Sequence, residues 1–189
     1  MENPTIISKF TKITFTAIVL AAACKPALSH IGVGSANSFA AGLAHPLSGF
    51  DHITVMIAVG LWAALKGERA LWAWPAAFVG LMITGEAVGI AGVPVPFVEP
   101  VILASIVAFG LLIAAAVDLP VAAGAIIIGF FAFFHGHAHG TEIPETVGGF
   151  EYVTGFVLAT ALLHGAGIGL GLLQGQRFRG LVGCRVWRP

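Results

Sequence analysis

The chain has 189 residues, 58% of them hydrophobic and only 10% charged, with nine Lys and Arg balanced by nine Asp and Glu. A soluble domain carries about 25% charged residues, so this composition, with a mean hydropathy of +0.96, excludes one and defines an integral membrane protein. A formal charge of zero leaves no basic surface for nucleic acid, and spans of about 20 residues with short connections fit the length as one bundle.

Lys9 and Lys12 precede a short apolar stretch, residues 13–23, and Ala27-Leu28-Ser29 puts small residues at the two positions that determine signal cleavage. Residues 1–29 are therefore expected to be a cleaved signal peptide. The mature chain would begin at His30, whose free amine and imidazole could chelate a metal together; an uncleaved first helix is the rival. Loss of Cys24 with the signal leaves Cys184 alone, without an intramolecular disulfide partner. Residues 31–44, small and weakly apolar, read as a half-helix on the outer face.

The expected fold class is all-α, a polytopic membrane helix bundle of about five transmembrane helices within residues 30–175. The spans fall at about 48–65, 71–91, 97–117, 121–139 and 149–173, and residues 176–189 form a basic cytoplasmic tail. Charge, glycine or proline marks each break: Lys66-Gly67-Glu68-Arg69, Gly92-Val93-Pro94-Val95-Pro96, Asp118-Leu119-Pro120, and a stretch from Gly140 to Gly148 containing Pro144. Trp62, Trp72 and Trp74 flank the first break, where interfacial anchors belong. The run Gly165-Ala166-Gly167-Ile168-Gly169-Leu170-Gly171 offers small-residue packing faces on the last helix.

Orientation follows from the basic residues. Lys66 and Arg69 occupy the first loop and Arg177, Arg179, Arg185 and Arg188 the tail, whereas the second and fourth loops contain neither Lys nor Arg. Basic segments face the cytoplasm, which puts the amino terminus outside and the carboxyl terminus inside. Two histidine clusters then share the outer end of the bundle: His45-Pro46-Leu47-Ser48-Gly49-Phe50-Asp51-His52 and His135-Gly136-His137-Ala138-His139-Gly140-Thr141-Glu142. Five of the seven histidines lie in these two stretches, and imidazole with carboxylate is a usual ligand set for a borderline divalent metal.

Local geometry sets the roles. Pro46 disfavours helix at His45, and Ser48 with Asp51 three residues on resembles a capping box, so a helix is expected to begin at Ser48. Asp51 is then either a cap or a ligand. In the second cluster His135 and His139 share a helix face, while His137 points about 160° away if the helix persists. Glu142 would close the set as a ligand or as an orienter of one. Expected metal ligands are His45, Asp51, His52, His135, His139 and Glu142, with His30, Glu86, His137 and His164 as further candidates. Glu86 and His164 are isolated ionisable groups within spans, either pathway residues, as such groups are by default in hydrocarbon, or satisfied packing residues. Asp118 reads as a turn residue before Pro120.

The first cluster leading into an apolar helix, the later Phe134-His135-Gly136-His137-Ala138-His139-Gly140-Thr141-Glu142 and then Leu163-His164-Gly165 resemble the HupE/UreJ family over about residues 28–175. That resemblance implies a small bacterial inner-membrane protein associated with hydrogenase or urease, a secondary permease for nickel and in some cases cobalt. It implies Ni2+ uptake from the periplasm, with no enzymatic activity and no prosthetic group. Expected partners are the metal ion and the lipid bilayer; oligomerisation is compatible with both. Two rivals belong to other classes. A b-type haem-binding membrane protein would use paired histidines as axial ligands, and an intramembrane metal-dependent hydrolase would need an open metal position and a base such as Glu142, without a His-Glu-x-x-His motif.

Overall fold

The computed structural model describes residues 38–143 and 149–182; the expected signal peptide, His30 and the end of the basic tail lie outside them. Among the described residues there are six helices and no strand: α1 (Ser38–Ser48), α2 (Phe50–Lys66), α3 (Ala70–Ile90), α4 (Val98–Ala114), α5 (Val121–Glu142) and α6 (Gly149–Val182). A helix stands at each expected span. Three stretches, α3, α5 and Phe150–Leu173 of α6, are long and apolar enough to cross a membrane alone. Together α1 and α2 make one bent pair that also qualifies, and α4 is a shorter apolar helix. The 17 residues of α2 and of α4 sit at the lower end of spanning lengths. The fold class is thus an all-helical membrane bundle. Large apolar side chains such as Trp72, Phe97, Ile126 and Phe150 face outward, while seven imidazole, carboxylate and hydroxyl side chains of α3 to α6, with His45 of α1, are buried inside. In hydrocarbon that distribution is the stable one, because lipid accepts the apolar groups and only the interior can satisfy the polar ones.

The start of the bundle departs from the sequence reading. Helix α1 runs through His45 and contains Pro46, although a proline disfavours helix in the residue before it. Tertiary packing outweighs that local cost. A Cβ on Gly42 would strike the Tyr152 carbonyl and one on Gly155 the Phe39 carbonyl, so α1 lies backbone to backbone on α6. The capping box does not form. Ser48 Oγ instead donates back to the His45 carbonyl at 2.6 Å, and α2 begins after Gly49, which is extended and provides no side-chain cap. At that glycine the chain bends by 82°.

Helix α5 extends to Glu142 rather than stopping near His139, and α6 continues to Val182, past the expected boundary at 175. Gly140 read as a breaker, yet its missing side chain is used for contact. Gly85 and Gly89 of α3 face Gly136 and Gly140 of α5, each pair four residues apart on its helix face. A Cβ on Gly85 would meet the Phe133 carbonyl, on Gly89 the His137 carbonyl, on Gly136 the Met82 carbonyl and on Gly140 the Glu86 carbonyl. Small residues at this spacing let helix backbones touch where no hydrophobic force drives association. The same device joins α2 to α6, with Gly60 against His164 and Gly167 against Ile57. Of the glycine run on α6, Gly165 and Gly169 face open space.

The tryptophans also divide. Of the three at the first break, Trp72 alone is exposed; Trp62 and Trp74 are buried, their rings 4.3 Å apart between centroids and tilted by 40°. Trp62 Nε1 donates to the Val117 carbonyl at 3.3 Å and Trp74 Nε1 to the Val121 carbonyl at 2.8 Å. These bonds tie α2 and α3 to the connection between α4 and α5 at the end opposite the histidines. Beside them Lys66 Nζ donates to Asp118 Oδ1. Asp118 is largely exposed, so Asp118→Asn is expected to change stability by no more than about 1 kcal/mol, measured by thermal unfolding in detergent.

Candidate metal centre

Three helix ends build the site. The last turn of α1 carries His45, the first turn of α2 carries Asp51 and His52, and the final turns of α5 carry His135, His139 and Glu142. The latter three are spaced i, i+4 and i+7, one face of a continuous helix, which the extension of α5 to Glu142 makes possible. The 82° bend at Gly49 lays α1 across the mouth, and His45 Nε2 reaches Glu142 Oε2 at 3.2 Å. One ligand atom each from His45, His139 and Glu142 lies within 4.8 Å of the others.

His139 is at the centre. Its ring is 4.8 Å from that of His45, 4.1 Å from that of His52 and 4.3 Å from that of Phe156. It is fully buried, and neither ring nitrogen has a hydrogen-bond partner. Leaving a buried polar atom unpaired costs roughly 1–3 kcal/mol, a cost that a bound ligand would offset. Asp51 Oδ1 accepts from the His52 amide at 3.0 Å, and its Oδ2 lies 3.9 Å from His52 Nε2. It stands beside the imidazole at the mouth and takes no part in a capping box.

His135 shares the face with His139 but is bonded at both nitrogens, to His52 Nδ1 at 2.8 Å and to Ser105 Oγ at 3.0 Å. His137 has the opposite phase, as its position in the helix requires; Nε2 donates to the Val93 carbonyl at 2.8 Å, away from the cluster. Glu86 of α3 is buried with both carboxylate oxygens unpartnered, within electrostatic reach of His45. His164 lies deeper. Its Nδ1 donates to the Thr160 carbonyl at 2.9 Å and its Nε2 has no partner. Phe78 separates the two levels, 6.1 Å from the His135 ring and 4.9 Å from that of His164.

Two neighbours escaped the sequence reading. Ser105 is fully buried, and the signal for it was a lone hydroxyl in the apolar run Val101-Ile102-Leu103-Ala104-Ser105-Ile106-Val107. Tyr152, the single tyrosine of the chain, is buried with its hydroxyl unpartnered and its ring 5.8 Å from His45. It sits in the first turn of α6, where the sequence offered no reason to look for it. The donors gathered here are imidazole nitrogens and carboxylate oxygens, with no thiolate among them. Such a set suits borderline divalent ions such as Ni2+, Co2+, Zn2+ and Cu2+.

A helical membrane bundle with histidines from three helix ends converging on a carboxylate defines a class, the polytopic membrane proteins with a polar site buried between their spans. Within that class the chain belongs to the HupE/UreJ family, whose model, described as HupE / UreJ protein, matches residues 18–186. It is 46% identical over 167 residues to Protein HupE of Rhizobium leguminosarum bv. viciae, covering 88% of this chain and 86% of that relative. The family resemblance carried by the two histidine motifs is thereby established. No solved structure matches the chain.

Proposed function

We propose that the protein is a secondary permease for divalent transition-metal ions, with Ni2+ as the cargo and Co2+ as a second, supplying hydrogenase or urease. The observation that carries this reading is His139, buried with both nitrogens unpaired among His45, His52 and Glu142. A cation is the ligand that would satisfy these donors together. Membership of the HupE/UreJ family supports the same reading.

In this reading the bundle lies in the bacterial inner membrane with the histidine mouth toward the periplasm and Lys66, Arg69 and the basic tail toward the cytoplasm. His45, Asp51 and His52 capture the hydrated ion, and His139 with Glu142 replaces its water. Glu86 and His164 offer the next donors along the bundle. A permease must bind firmly enough to strip water and loosely enough to release, and imidazole with carboxylate is a milder set than thiolates. The haem alternative finds no support in the rings themselves, since His52 and His135 share a 2.8 Å hydrogen bond with no space for a macrocycle between them.

Protonation removes the imidazole lone pair that a metal needs. Uptake is therefore expected to fall as external pH drops far enough to protonate the ligating imidazoles, read from initial rates of radiolabelled Ni2+ accumulation in cells at a fixed free metal concentration. The function itself is tested by measuring that accumulation, and the content of bound metals in the purified protein, for the wild type and for His52→Ala and His139→Ala. Uptake unchanged in both variants would overturn the proposal.

A further inference from the structure

Helix α4 sends one hydroxyl into the interior, and the hydrogen bonds around it determine where protons sit at the mouth. Ser105 Oγ donates to the Ile102 carbonyl at 2.6 Å, a bond back along its own helix. A hydroxyl has one proton, so toward His135 Nε2, 3.0 Å away, this oxygen accepts. His135 therefore carries its proton on Nε2. A neutral imidazole carries only one, which leaves His135 Nδ1 as a bare lone pair. That atom lies 2.8 Å from His52 Nδ1, so His52 is the donor and carries its own proton on Nδ1. The remaining nitrogen of His52, Nε2, is left as a lone pair on the side of the ring that faces Asp51, 3.9 Å from its carboxylate.

We propose that Ser105 is a positioning residue for the metal site: through His135 it fixes the tautomer of His52, so that the Nε2 lone pair of His52 is presented to the cation. The proposal rests on the metal reading above and deepens it. Ser105 touches no cargo, and His135 is an intermediary between the hydroxyl and the ligand. The opposite set of protons would place hydrogen on His52 Nε2, where it blocks coordination. That set requires the hydroxyl to leave the Ile102 carbonyl and donate to His135. Removing the hydroxyl deletes the acceptor that holds the His135 proton on Nε2, and the two tautomers then compete. Loss of an outer partner of this kind lowers metal affinity by about 10- to 100-fold.

The test uses the full-length protein, purified with nitrogen-15 in its histidines, as wild type, Ser105→Ala and Ser105→Thr. Long-range proton–nitrogen spectra of the metal-free protein report each tautomer, with His52→Ala and His135→Ala assigning the signals, and Ni2+ affinity and uptake kinetics are measured alongside. In the wild type His135 is expected as the Nε2–H form and His52 as the Nδ1–H form. Ser105→Ala is expected to mix these forms and raise the KM for Ni2+ about 10- to 100-fold with little change in the maximal rate, and Ser105→Thr, which keeps the hydroxyl, to restore both. A wild-type His52 protonated on Nε2 overturns the proposal without recourse to any variant. Wild-type Ni2+ binding together with unchanged tautomers or affinity in Ser105→Ala overturns this proposal alone, whereas a wild type that binds no divalent metal overturns the metal reading and this proposal with it.

Discussion

Replacing His139 with alanine is expected to reduce Ni2+ uptake by at least about 100-fold while leaving folded protein in the membrane. Outer partners of metal ligands are worth about 10- to 100-fold, and His139 stands at the centre of the cluster, its ring against those of both His45 and His52. The fold tolerates the change because neither nitrogen of His139 holds a hydrogen bond. No buried partner is left unpaired, and the loss is confined to ring contacts with its neighbours. His137→Ala is the matched control. It removes the Nε2 bond to the Val93 carbonyl, worth about 0.5–1.5 kcal/mol of stability, and should leave uptake near wild type. Radiolabelled uptake, paired with size-exclusion profiles of the solubilised variants, separates the two effects; equal uptake loss in both variants would remove His139 from the centre of the site.

The second large effect falls on the fold. Gly136→Val is expected to abolish accumulation of folded protein, because a Cβ at that position would enter the Met82 carbonyl of α3. Overpacking a well-packed core of side chains costs about 1–3 kcal/mol, but here the obstacle is backbone on backbone, and neither helix can turn aside without breaking the other three glycine contacts. Gly165→Ala is the control on a different helix, since nothing lies within 4 Å of a Cβ built there. Fluorescence-detected chromatography of tagged variants would show a lost monodisperse peak for Gly136→Val and an unchanged one for Gly165→Ala. A normal peak for the valine variant would mean that α3 and α5 need no such close approach.

Much of the bundle was legible because its signals are periodic or compositional. Hydrocarbon-length apolar blocks and their Gly, Pro and charged breaks located all of the described helices from α2 onward, and helical phase separated His137 from His135 and His139. What escaped were effects of tertiary contact. Local preference opposed helix at His45, yet the glycine-mediated seat of α1 on α6 overrides Pro46. Gly140 carries the same letter whether it ends a helix or lets a neighbour approach; only the position of Glu86 across from it shows which. Ser105 and Tyr152 are single polar residues, and one residue has no period. The two-sided engagement of His135 was unreadable for the same reason, since its partners come from α2 and α4, 83 and 30 positions away.

Among the described helices the tilted pair Trp62 and Trp74 closes the end opposite the histidines. Polar donors line one end, while at the other two indoles fill the interior and are fastened to the backbone beyond them. An interior filled in this way holds no open channel. In the permease reading proposed above, ions leave one at a time, each after the indoles have shifted, and collective rearrangements of packed helices take microseconds to milliseconds. Throughput is then counted in cycles of the protein rather than in a stream of ions, which suits a cell gathering a trace element and would be wasteful for an abundant one.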